Sequence, residues 1–165
     1  MPTVTIECGG AEDGESDLIA YEGLLKYIDY DDVLTPGHSD LSLEFFHNPL
    51  RLELLEGASI TYAEQAATEV SVTLIPEIEH FNFGFVTATT KLGYVSGKIE
   101  DVLTAKDARG TEHLGSYFQV IDGCLYPRIG LKLFMVTTNP EIASNDCLFY
   151  LVEEDDVDPV VEIEE

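Results

Sequence analysis

Four histidines, three cysteines and 32 carboxylates are the side chains through which this chain could do acid–base, metal or nucleophilic chemistry. Their spacing argues against each in turn. His38, His47, His80 and His113 show no H-x-x-x-H or H-E-x-x-H pattern, and Cys8, Cys124 and Cys147 form no C-x-x-C. Those are the spacings that bring two zinc ligands to one face of a local element. A metal site would have to be assembled from residues distant in sequence.

Asp13, Glu15 and Asp17 copy the first half of a calcium loop. The sixth position is Leu18 where the turn needs Gly, and the twelfth is Leu24 where a bidentate Glu is needed, so the match fails. Asp29, Asp31 and Asp32 read as a solvated helix end. Glu77, Glu79 and His80 lie close together, as do Glu112 and His113. Neighbouring residues of a strand point to opposite faces, so neither group reads as a base beside its orienting acid. A pair of carboxylates can hydrolyse a glycosidic bond, but with this many acids a close pair arises by chance. Gly93-Tyr94-Val95-Ser96-Gly97 sits one position away from the G-x-S-x-G nucleophile elbow and reads as a strand or turn with glycines at its corners. Neither Gly-rich phosphate-binding pattern occurs. The expectation is a chain with no catalytic, cofactor-binding or metal residue, and not an enzyme.

The elements that would position any site are mostly strands. Apolar residues alternate with polar ones at Val4/Ile6/Cys8, Leu41/Leu43/Phe45, Leu50/Leu52/Leu54, Val70/Val72/Leu74, Phe81/Phe83/Phe85 and Leu131/Leu133/Met135. This is the pattern of a sheet with one face on a core. Less regular strand candidates are Tyr117 to Ile121, Cys147 to Val152 and Val160 to Ile163. Turn signals separate them at Pro36-Gly37, Asn48-Pro49, Glu56-Gly57, Asp122-Gly123 and Asn139-Pro140. Phe45, Phe46, Phe81, Phe83 and Phe85 read as core.

One stretch departs from this period. Leu18, Ile19, Tyr21, Leu24, Leu25 and Ile28 recur at helical spacing behind Ser16 or Asp17 as N-cap, which predicts a short helix near residues 17–28. Gly23 weakens it by about 1 kcal/mol relative to Ala. A weaker helical pattern covers Tyr62 to Thr68. Together these predict a mainly β, single-domain β-sandwich or barrel-like fold over residues 1–152. Gly9 to Glu15 reads as a flexible loop. Residues 153–165 form an acidic tail whose alternating Val and Ile suit a strand added to a partner.

Length and charge bound the rest. At 165 residues with 45% hydrophobic side chains and a mean hydropathy of +0.04, the chain can bury a real core despite a net charge of −24. The acidity excludes direct nucleic-acid backbone binding as the main activity. The N-terminus lacks a basic n-region and a long apolar run, so no signal peptide is read. No apolar stretch approaches the roughly 20 residues of a membrane span. The odd, scattered cysteines and the lack of an Asn-x-Ser/Thr sequon favour reduced thiols and a virion or cytoplasmic location over secretion. No membrane partner is expected.

The charge is uneven. Residues 1–90 carry 17 acids and 2 bases, residues 91–132 carry 5 acids and 6 bases, and residues 133–165 carry 10 acids and no base. Bases concentrated at Lys91, Lys98, Lys106, Arg109, Arg128 and Lys132 suggest a surface that meets a neighbour's acids, and between identical copies such a contact is head-to-tail. Three accounts of the acidity compete: life in high salt, mimicry of nucleic acid by an inhibitor or immunity protein, and service as a structural subunit. The last joins the strand-rich domain, the missing catalytic motifs, the tail and the clustered bases. The expectation is therefore a non-enzymatic structural or decoration subunit, of capsid or tail type, partnered by other copies or other subunits. The acidic inhibitor is the alternative.

Overall fold

The computed structural model describes residues 16–29, 45–154 and 157–158. The chain divides into two compact units, residues 1–41 with 163–165 and residues 42–162. The proposed strand around Val4–Cys8, the Pro36-Gly37 turn, Leu41 and Leu43, and the Val160–Ile163 strand lie outside the described residues.

In the first unit, helix α1 spans Ser16–Asp29, where the apolar spacing predicts it. Asp17 lies in its first turn and Lys26 in its last, the signs the helix dipole favours. Its apolar side chains are exposed: Leu18, Ile19, Tyr21, Leu24, Leu25, Tyr27 and Ile28 leave 39–65% of their surface to solvent.

The second unit is mainly β. Its strands are β1 (Phe45–Phe46), β2 (Leu50–Leu54), β3 (Ile60–Tyr62), β4 (Val72–Leu74), β5 (Gly84–Val86), β6 (Gly93–Val95), β7 (Leu103–Lys106), β8 (Phe118–Ile121), β9 (Cys124–Pro127), β10 (Leu131–Phe134), β11 (Phe149–Glu153) and β12 (Val157–Asp158). An antiparallel four-stranded sheet runs β10-β11-β2-β7, and a five-stranded sheet runs β3-β4-β6-β9-β8 with β3 and β4 parallel. The sheets are open, not closed into a barrel. They share one core because the period-2 pattern turns one face of each inward. Leu50 and Leu52, Leu103 and Ala105, Leu131 and Leu133, and Phe149 and Leu151 come from the first sheet; Val72, Leu74, Val95, Leu125 and Phe118 come from the second. The Phe118 and Phe149 rings meet across the core at 6.3 Å between centroids.

Two local conformations fix strand pairing. Asp122 and Gly123 both take positive φ (50° and 77°), the two-residue turn that joins β8 to β9. Gly93 in β6 lies against β4 so closely that a Cβ would fall 2.2 Å from the Thr73 carbonyl oxygen. Only glycine fits there.

Several expectations need correction. Two further short helices exist, α2 (Leu114–Tyr117) and α3 (Pro140–Asn145). Asn139-Pro140 is an N-cap and first helical residue instead of a turn between strands, with the Asn139 Oδ1 accepting from the N–H groups of Glu141 (2.9 Å) and Ile142 (3.4 Å). Tyr62 to Thr68 is not helical. Its backbone is spent on the sheet: the Ala63 N–H donates to the Leu74 carbonyl (3.0 Å), the Ala67 N–H donates to Thr73 Oγ1 (3.1 Å), and the Glu64 carbonyl accepts from Tyr94 Oη (3.0 Å). Phe81 closes a 3-10 turn (Pro76–Phe81), and Phe83 takes a left-handed φ of 59° before β5. This breaks the alternation, so Phe83 and Phe85 are 58% and 50% exposed, not core. Met135 likewise leaves β10 at φ 52° and is exposed.

The tail's first strand pairs within the chain. β12 lies antiparallel to β1, with Phe46 opposite Val157 and Phe45 opposite Asp158. The Phe46 ring stacks on Phe134 (4.8 Å), which stacks on its cross-strand partner Tyr150 (5.5 Å).

Candidate functional site

One cleft of about 290 Å³ gathers side chains from three places in the second unit. Asn48, Pro49 and Leu50 come from the entry to β2, Asp107, Ala108 and Arg109 from the loop after β7, and His113 and Tyr117 from the N-terminal edge and last residue of α2. The loop of residues 107–113 is built around two acids. Asp107 Oδ1 accepts from the N–H groups of Thr111 (2.8 Å) and Arg109 (2.9 Å), an Asx turn that folds the loop back on itself. Asp107 Oδ2 lies 3.4 Å from His113 Nε2, both side chains being about one-third exposed or less. The Thr111 N–H leads in holding the Asp107 carboxyl below its ordinary range, with the His113 and Arg109 contacts adding to it against some loss of solvent.

Glu112 is the loop's second anchor. Burial works against its charge, but Thr104 Oγ1 and the N–H groups of Ala105 (3.0 Å) and Leu114 (2.8 Å) donate to the carboxylate and hold its pKa down. It thereby ties β7 to the start of α2. The carboxylate that faces His113 is thus Asp107, six residues away, and not its sequence neighbour Glu112. Loop closure brings the pair together, and the Asx turn at Asp107-x-Arg-x-Thr was the sequence signal that could have found it.

The acids around the cleft are already engaged within the chain. Asp107 spends its oxygens on the loop and on His113, and Tyr117 Oη donates to Glu153 Oε1 (2.6 Å). The His113 ring packs edge-on against Tyr117 (6.3 Å between centroids). Arg109 and Asn48 have no side-chain partner among the described residues.

The other groups considered from sequence stay apart from this cleft. Glu77, Glu79 and His80 sit on the 3-10 turn, all exposed. Glu77 instead meets Glu64, and the hydrogen bond between these carboxyls raises the pKa of Glu64. This is a close acid pair, but a solvent-exposed one. Gly93 to Gly97 is strand β6 followed by a turn in which Gly97 takes φ 90°. Cys124 and Cys147 are free thiols, and burial, reinforced by Asp146, pushes the Cys147 thiol up. Among the described residues no three His, Cys, Asp or Glu side chains cluster to hold a metal ion. Likewise no helix there is long and apolar enough to cross a membrane.

The clustered bases divide in two. Lys91 Nζ donates to Tyr94 Oη (3.0 Å) above its ring, and Arg128 Nε donates to the Phe118 carbonyl (2.9 Å). Lys132 is 3% exposed, its charge between the Phe46 and Phe85 rings at 5.2 and 5.1 Å. These three serve contacts inside the chain, whereas Lys98 and Arg109 are exposed and Lys106 is half-buried at the edge of its sheet.

No protein-family model matches this chain, and neither the curated proteins nor the solved structures include a match to it.

Proposed function

We propose that this chain is a non-enzymatic subunit of a larger assembly, a sandwich-like acidic β domain that acts by being held by its neighbours. The observation that carries this is the surface of α1, where seven large apolar side chains are solvent-facing along 14 residues. Apolar surface of that density costs solubility unless a partner covers it. A net charge of −24 supplies the complementary property, keeping free copies apart until they are placed. Phe83, Phe85 and Met135 add exposed apolar surface on the β domain itself. Capsid, decoration and tail subunits are assemblies of this general kind, an analogy of class alone.

The test is sedimentation of the full chain from low to molar salt, wild type beside Leu18→Asp/Leu25→Asp. Ordered oligomers should form as repulsion is screened, and the double variant should remain monomeric with an unchanged thermal transition. A wild-type monomer at every salt, shifting only on addition of a basic nucleic-acid-binding protein, would instead favour the acidic inhibitor.

A further inference from the structure

We infer that the cleft between the start of β2 and the loop after β7 is a binding site for a carboxylate carrying a small apolar body. This goes beyond the assembly reading and does not depend on it. The donors converge from separate elements: the Arg109 guanidinium and the Asn48 side-chain amide both line the cleft, with the His113 ring beside them. The Arg109 and Asn48 side chains make no hydrogen bond or ion pair among the described residues. Among the described residues the His113 ring is held by Asp107 Oδ2 at Nε2, so it serves as a fixed wall of the cleft and leaves the anion to Arg109 and Asn48.

A guanidinium offers two parallel N–H donors that match a carboxylate, which makes arginine the natural anchor for this anion. Asp107 is the one acid on the lining among the described residues. Its oxygens already accept from Thr111 and Arg109 N–H groups and face His113, so it orients the imidazole and opposes an incoming anion less than a free carboxylate would. Pro49, Leu50 and Ala108 supply the apolar wall, and about 290 Å³ lies near the lower end of ligand pockets (roughly 300–1,000 Å³). That space holds one ring or a short branched chain, not a nucleotide. The chain's net charge repels anions at long range, but at about 0.15 M salt charges beyond roughly 8 Å are screened and the contacts inside the cleft decide.

Benzoate is the probe, with benzamide as its uncharged isostere. Titration of either into the full chain at moderate salt, followed by amide NMR shifts of Ala108, Arg109, His113 and Tyr117, reads binding directly. Benzoate should saturate with Kd on the order of 1 mM and benzamide at least tenfold more weakly. Arg109→Ala should weaken benzoate at least tenfold and Arg109→Lys less, both with wild-type thermal unfolding because Arg109 is exposed on its loop. Absence of saturable shifts, equal binding of benzamide, or unchanged binding by Arg109→Ala would overturn the site. Sedimentation with benzoate present then distinguishes the sources of the natural carboxylate. Oligomers that dissociate in benzoate and in Arg109→Ala identify an acidic side chain of a second copy, whereas oligomers indifferent to both, or a chain that stays monomeric, identify a free small acid.

Discussion

Leu52 of β2 is fully buried between two sheets, whereas Leu18 of α1 leaves 57% of its surface in solvent. The side chains are the same, and so is the apolar content of the segments around them. What differs is whether an opposing face lies against them among the described residues. Each sheet of the β unit presents alternate residues to the other, so its leucines and valines exchange water for one another. A single 14-residue helix has no such face within itself, and apolar residues all round its axis cannot all be buried by packing along one side. The lesson is that the β unit satisfies its hydrophobic pattern internally, while α1 carries a pattern that calls for a partner.

The largest way to break this contrast is at the tightest point of the β unit. Gly93→Val should abolish folding or cost upward of about 4 kcal/mol, because its Cβ would overlap the backbone of β4 at Thr73 and Leu74. Soluble yield and thermal unfolding check it. The next pair sharpens the comparison itself. Leu52→Ala should destabilise by about 2–5 kcal/mol, and Leu25→Ala on exposed α1 by no more than about 0.5, as read by urea unfolding of the two variants side by side. Equal costs would mean that α1 owes as much to packing as the core does.

The smallest effect concerns pH. Glu112 titrates below its unfolded value in the folded chain, so its stabilisation is complete above the unfolded pKa and is lost as pH falls through the folded one. Glu112→Gln should cost no more than about 1 kcal/mol at neutral pH, because solvent screens this exposed carboxylate, and should flatten the decline of stability on acidification, measured by melting from pH 7 to pH 3. A variant whose acid profile matches the wild type would mean that the carboxylate does not tie the loop as described.

Much of the β architecture was legible because strand period and turn chemistry are local. Leu50/Leu52/Leu54 and Leu131/Leu133 announce their inward faces by alternation, and Asp122-Gly123 announces a tight hairpin. The failures have equally local causes. Phe81, Phe83 and Phe85 keep period 2 in sequence, yet the 3-10 turn and the left-handed Phe83 rotate the backbone between them, and periodicity carries no information about φ. Tyr62 to Thr68 has alanines at helical spacing, but its hydrogen bonds go to β4 and β6 instead. The cleft was the least legible feature. Asp107 and His113 are separated by a loop, and Asn48 is some sixty residues from both.

By itself the sequence determined the β-rich class, the position of α1 and the surplus of acid, since alternation, helical spacing and charge are properties of neighbours along the chain. Which acid meets His113, which bases are spent inside and which aromatics remain outside were decided only in three dimensions. Those outcomes depend on distances between residues far apart in sequence, and only loop closure and sheet register set such distances.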